Sequence, residues 1–262
     1  MNEGWVSNRL GIRGIPGSAE EIMASRDISL AELTGGRLHL AHISTAETVG
    51  LVRRAKEKGL DVTCEVCPHH LTLSEEAILG YHGFIASPSE ANGSPFGALT
   101  PGAYDTHAKV NPPLRGRGDV DALIQGLREG VIDFVATDHA PHNRVDKLCT
   151  LEEAAFGISG LETAVGSLMS LVHAGKIPLS LLIEKLTAAP ARFLNRDDLG
   201  TLRDGAIADI TIFDPDAEWI VDSSQFASKG KNTPLNGATL KGRVMATIVG
   251  GEIKYEAVIR DA

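Results

Sequence analysis

Cysteine is scarce in this chain, with three among 262 residues. So small and odd a number does not suggest a disulfide framework. No apolar run approaches the ~20 residues of a membrane span. The opening "MNEGWVSNRLG" lacks the charged-then-apolar pattern of an export signal, so a cytoplasmic protein that does not engage membranes is expected. Basic runs are missing too. With 25 basic and 34 acidic residues the formal charge is −9, which argues against a nucleic-acid or anionic-membrane surface. What remains is ordinary for a soluble globular protein: 43% hydrophobic residues, 23% charged residues and 28 glycines. The length suits one large or two modest domains.

Segments with helical and extended patterns alternate along the first two thirds of the chain. "SAEEIMASRDISLAELTGG" reads as a helix, with Ser18 and Glu21 as a capping box and Gly35 and Gly36 as its stop. "RLHLAHIS" reads as a strand. "STAETVGLVRRAKEKG" reads as a helix capped by Ser44 and Glu47 and stopped by Gly59. The strand "LDVTCEV" and a short helix "SEEAIL" follow. Residues 80–103, rich in Gly, Pro and Ser, read as a long surface loop. An extended "AKVNPP", the helix "DVDALIQGLREG", the strand "IDFVAT" and helices near 160–174 and 179–194 complete this part. Strand–helix alternation argues for a parallel sheet with helices outside it. After about residue 197 the pattern changes to apolar–polar alternation with Gly and Asp turns, which reads as a smaller antiparallel β module. Only four strand–helix units are found, whereas a closed barrel of this type has eight strands. The sheet is therefore open, or the chain is the back portion of a longer protein.

Chemistry in parallel α/β folds gathers at the carboxyl ends of strands. Three such ends carry ligand-type residues. In "HLAHIS", His39 and His42 lie an odd number of positions apart and point to opposite faces of one strand. His42 is nearer the strand end and is the better metal-ligand candidate, although a strand histidine also serves simple packing. In "CEVCPHH", Cys64 and Cys67 form a C-x-x-C, but the odd offset turns the side chains apart and no second pair exists. His69 and His70 either shape the site or pack through hydrogen bonds. The third end, "IDFVATDHAPH", closes an apolar strand with Asp138, His139 and His142. A buried carboxylate is normally paired or coordinates a metal, and Asp138 could both bind a cation and accept a proton. The plainer reading of Asp138 is a helix cap or an ion-paired acid. Asn111 and Arg115 of "KVNPPLR" offer an amide and a guanidinium suited to a carboxylate ligand.

Taken in order, "LGIRGIP", "LHLAHISTAETVGLVRRAKEKGLDVTCEVCPHHLTL", "YDTHAKVNPPLR", "IDFVATDHAPH", "AAFGISGLET", "PARFL", "GAIADITIFDP" and "SKGKNTPLNG" resemble the amidohydrolase superfamily. Within it they resemble the bacterial class I dihydroorotases. "ADITIFDP" alone would indicate only the superfamily; "KVNPPLR" with "ATDHAPH" and "SKGKNTP" points to dihydroorotase rather than hydantoinase or allantoinase. The resemblance implies an α/β fold, the C-terminal half of a (β/α)8 TIM-like barrel over residues 1–196 followed by a small β-sandwich module over 197–262. It implies a zinc-dependent, reversible opening of the cyclic amide of dihydroorotate to carbamoyl aspartate, with two zinc ions in a complete site. By the same resemblance His42 is a ligand of the second zinc, Asp138 a ligand of the first zinc and general acid/base, and Asn111 and His142 substrate-binding residues. Phe156 and Gly157 match a segment closing over the pyrimidine ring through its backbone. The expected partners are a small-molecule substrate and further copies of the chain; aspartate carbamoyltransferase is the partner on the competing reading of a non-catalytic subunit.

Departures from the family pattern are as informative. Family members begin with a strand ending in H-x-H and an arginine, followed later by a bridging acid or carboxylated lysine and another zinc histidine. None of the nine histidines here stands in an H-x-H. Met1 falls where the family has an internal "G-x-M-N-E-G", so the chain is expected to be a family member begun about midway, inactive by itself. His107, where relatives often carry Asn, and the 80–103 loop are smaller departures. A non-catalytic dihydroorotase-like subunit and another cyclic amidase are the competing readings.

Overall fold

The computed structural model describes residues 1–81 and 102–257. Most of the expected 80–103 loop thus lies outside the described residues. Three parallel strands, β1 (Leu38–Leu40), β2 (Val62–Val66) and β3 (Phe134–Val135), form one sheet in the order β1–β2–β3. Leu38, His39 and Leu40 pair with Val62, Thr63 and Cys64, and Glu65 and Val66 pair with Phe134 and Val135. Alternation divides the faces of β2. Val62, Cys64 and Val66 are buried against helices, whereas Thr63 and Glu65 turn to the other side with His39.

The helices in chain order are α1 (Trp5–Leu10), α2 (Ser18–Thr34), α3 (Ala46–Glu57), α4 (Pro68–Thr72), α5 (Arg117–Arg128), α6 (Arg144–Lys147), α7 (Ala164–His173), α8 (Leu179–Leu186) and α9 (Ala188–Phe193). The apolar faces of α3, α5, α7 and α8 bury Val52, Leu127, Leu168 and Leu182 against Val62, Cys64 and Val66. Each such side chain contributes about 1.5–3 kcal/mol of burial. Among the described residues no helix is long and apolar enough to cross a membrane.

Helix starts differ from the sequence expectation for a tertiary reason. The N-cap of α3 is Thr45, whose hydroxyl accepts the Thr48 N–H at 3.2 Å. Ser44 is drawn away instead: its N–H and hydroxyl both donate to the Glu20 carboxylate. Helix α2 starts at Ser18 after an N-cap Gly17 that makes no side-chain cap, so the expected Ser18–Glu21 box is absent. The strands also end early. His42 and Asp138 both adopt left-handed backbone, φ 44° and 45°, which no regular strand accommodates.

The C-terminal part is an antiparallel sheet of β4 (Ile210–Ile220), β5 (Thr239–Val249) and β6 (Glu252–Glu256). Among the described residues it is a single three-stranded sheet. It packs on α7 at Gly242, φ 110°, where an added Cβ would lie 2.6 Å from Met169 Cγ. A second core joins Val6 and Leu10 of α1 to Leu73, Leu114 and Ile158 and to Val221, Leu235 and Leu240.

Candidate active site

The β1 end opens onto a cleft of about 530 Å³ lined by His39, His42, Asn111 and Glu20 among others. His42 Nδ1 is buried and has no hydrogen-bond partner. His39, on β1 itself, also borders the cleft but is engaged by β2 and β3. Its Nδ1 lies 2.9 Å from Thr63 Oγ1, its Nε2 lies 3.5 Å from Glu65, and its ring stacks on Phe134 with centroids 5.3 Å apart.

Asp138 stands just past β3, at the same end of the sheet. Burial raises its carboxyl above the ordinary range; His42 opposes that rise and Glu65 adds to it. The two residues therefore sit within electrostatic reach of each other, with Asp138 part-buried. Cys67, His69 and His70 follow β2 between them. Burial holds His69 well below the usual imidazole range and lowers His70 to about 4, with His42 adding to both shifts. Both imidazoles are thus neutral at pH 7. The Cys67 thiol is pushed well above its usual range by burial, then by Asp138 and Glu65. It faces the site, whereas Cys64 lies on the helix side with its Sγ 3.5 Å from Val131 O.

Asn111 is exposed and shares the cleft with His42. Arg115, expected to grip a ligand carboxylate, is used internally. It is 3% exposed and donates to Ser44 Oγ, Asn2 Oδ1 and Ile15 O at 3.0, 2.9 and 2.8 Å. Its guanidinium holds the N-terminal segment to the β1 end.

His142, Phe156 and Gly157 come together. His142 Nε2 donates to Phe156 O at 2.8 Å, and Gly157 N–H donates to Lys109 O at 2.9 Å. Gly157 has φ 145°, and a Cβ there would lie 2.6 Å from Ala140 Cβ and 2.9 Å from His142 Nε2. Only glycine fits. The Phe156 ring is 44% exposed, with the Lys109 ammonium 4.4 Å from its centroid.

Two residues that brace this end carried no role in the sequence reading. Asn232, inside the quoted "SKGKNTP", is 2% exposed. Its Oδ1 accepts from His142 N–H and Ser159 Oγ, and its Nδ2 donates to Ala140 O and Gly157 O, all at 2.8–3.0 Å. That saturates the amide. Lys147, also 2% exposed, donates to the carbonyls of Thr106, Lys109 and Ala155, and burial lowers it to about 8. A polar run flanked by glycine was the one available signal for Asn232; for Lys147 there was none.

An amidohydrolase family model matches residues 9–254. A dihydroorotase from Pelotomaculum thermopropionicum is 51% identical over 99% of this chain and 56% of its own length. One from a Thermoanaerobacter species is 48% identical over 98% of this chain and 54% of its own length. The chain thus spans about half the length of the curated relatives it matches. Among solved structures, the L-hydantoinase (dihydropyrimidinase) of Arthrobacter aurescens aligns with a TM-score of 0.76 and 28% identity, over 90% of this chain and 48% of its own. With strand-end ligand residues on a parallel sheet and a family match across nearly its whole length, this chain belongs to the amidohydrolase family.

Proposed function

We propose that this chain forms part of a dihydroorotase, which reversibly hydrolyses the cyclic amide of dihydroorotate to carbamoyl aspartate in pyrimidine synthesis. The observation that carries the reading is the contrast in likeness: 51% and 48% identity to dihydroorotases against 28% to a hydantoinase, over nearly all of the chain. On this reading β1–β3 belong to a (β/α)8 barrel over residues 1–196, and β4–β6 to a β-sandwich module over 197–262. The protein works in the cytoplasm, as an oligomer of its own copies, with aspartate carbamoyltransferase as a candidate partner.

The donors present fit zinc. His42 offers a buried ring nitrogen without a partner, beside the half-buried carboxyl of Asp138. Nitrogen and oxygen donors of this kind suit that ion, and two ions are expected in a complete site. Bound zinc supplies Lewis acidity, polarising the amide carbonyl and making water more acidic. The chain's own residues do the rest. Asp138 accepts the proton of the attacking water on its carboxylate and returns it to the leaving ring nitrogen. Asn111 in the cleft and His142, beside Phe156 and Gly157, hold the substrate. Because Phe156 O and Gly157 N–H already have protein partners, the Phe156–Gly157 segment meets the pyrimidine ring through the exposed face of Phe156 or by exchanging those bonds.

The test is ring opening of dihydroorotate, hydantoin, dihydrouracil and allantoin, by the chain alone and with the portion of the Pelotomaculum relative that it does not span. Dihydroorotate should be preferred, and Asp138→Ala should lower kcat/KM by about 10²–10⁴-fold. Preference for hydantoin or dihydrouracil would show a different cyclic amidase, a reading that the hydantoinase-like fold keeps in contention. Retention of most of the rate by Asp138→Ala would remove the proton-transfer role.

A further inference from the structure

Beside the His42–Asp138 pair, the described residues hold a second convergence of ligating groups. Cys67 ends the β2 segment, and Pro68 at once starts α4, which folds His69 and His70 back toward the thiol. One ligand atom from each of the three lies within 4.8 Å of the others. The two rings meet at 4.4 Å between centroids, tilted by 54°.

Hydrogen bonding shows what these rings lack. His70 Nε2 lies 2.9 Å from the carbonyl oxygen of Pro112. A carbonyl only accepts, so Nε2 carries the proton and Nδ1 holds a lone pair. That Nδ1 is buried without a partner, as is Nε2 of His69. The residues are 2% and 6% exposed, so solvent does not satisfy them. An orphaned buried polar atom costs about 1–3 kcal/mol. An imidazole fixed by one N–H to a backbone carbonyl, with its other nitrogen free and buried, is the arrangement of a metal ligand. Simple packing explains less. A cavity of about 20 Å³ beside His69, also lined by Thr137 and Ser167, has room for one water, but His70 is not in its wall.

We propose that Cys67, His69 and His70 form a site for a soft d10 cation of the zinc class, a donor set distinct from His42 and Asp138. Thiolate and neutral imidazole are the ligands such cations favour. On binding, the Cys67 S–H bond breaks, the sulfur–metal bond forms and one proton leaves to solvent. A tetrahedral ion with ~2.3 Å sulfur and ~2.0–2.1 Å nitrogen bonds closes this triad with side-chain shifts on the order of an ångström. Three protein ligands leave the fourth position open.

Cobalt(II) titrated into metal-free protein tests this without relying on turnover, so it stands or falls apart from the dihydroorotase reading. Cys149 is exposed, so the experiment uses a Cys149→Ser background. The expected result is a near-ultraviolet thiolate-to-cobalt charge-transfer band that Cys64→Ala and His42→Ala retain. Cys67→Ala should abolish it and weaken cobalt binding by about tenfold or more. Circular dichroism establishes that Cys67→Ala is folded, and Cys67→Ser serves if it is not. A folded parent protein that shows no such band, or a band that survives loss of the Cys67 sulfur, overturns the proposal.

Discussion

Two strand ends of one sheet have been finished differently. At the end of β1, His42 faces a cleft with a ring nitrogen that no protein group satisfies. At the end of β3, the residues after Asp138 are tied down. His139 Nδ1 accepts the Gly160 and Leu161 N–H groups at 3.2 and 3.3 Å, and its Nε2 meets Ser228 Oγ at 3.1 Å. Asn232 then closes the loop from the other side. Yet both ends begin with the same backbone anomaly, a non-glycine residue in the left-handed region, which costs roughly 1–2 kcal/mol each. Both turns are followed by hydrogen-bonded residues, Ser44 held by Glu20 and Arg115 after the first and His139 and His142 held after the second. The difference lies in the His42 ring, which is left unpartnered for a ligand.

Removing the brace should produce the largest effect on stability. Asn232→Ala strips four side-chain hydrogen bonds from buried or half-buried partners. It should destabilise the protein by about 2–4 kcal/mol in urea unfolding. Asn232→Asp, which keeps the acceptors and loses the donors, should fall between. A loss below 1 kcal/mol would show that the loop holds without Asn232.

Lys147 sharpens the contrast on the same braced side. Unfolded, it keeps its proton to its ordinary 10.5; folded, burial makes it lose that proton near 8. The unfolded state therefore binds more protons between these values, and stability from this group rises with pH across that window. Against Lys147→Met, the parent protein should show a slope more positive by up to about 1.4 kcal/mol per pH unit. Equal slopes would contradict the burial effect.

The smallest effect belongs to the open end. His42→Asn keeps a residue that tolerates left-handed backbone and removes no hydrogen bond made by Nδ1, so stability should change by less than about 1 kcal/mol. If it destabilised the protein as much as Asn232→Ala, the two ends would not differ as described.

Much of this architecture was legible from local pattern. Alternating periods placed the main helices and three parallel strands, and the apolar run before Asp138 marked a strand end. The fourth expected strand, "AKVNPP", is instead irregular backbone after a 3-10 turn at Thr106–Ala108. What escaped depended on partners distant in sequence. The cap of α3 moved from Ser44 to Thr45 because Glu20, 24 residues earlier, captures the serine. Arg115 looked free for a ligand because its acceptors on Asn2 and Ile15 lie about a hundred residues away. Asn232 reaches His142 across 90 positions, a pairing no spacing rule reveals. The short strands trace to the left-handed turns at His42 and Asp138, which residue preference did not announce.

Crystals of zinc-loaded protein, measured on both sides of the zinc absorption edge, test the coordination proposal most directly. The account predicts two anomalous peaks, one ~2.0–2.2 Å from an Asp138 carboxylate oxygen and the other ~2.0–2.1 Å from a His42 ring nitrogen. A well-ordered map with no zinc at that pair, or with density only at Cys67, His69 and His70, would contradict it.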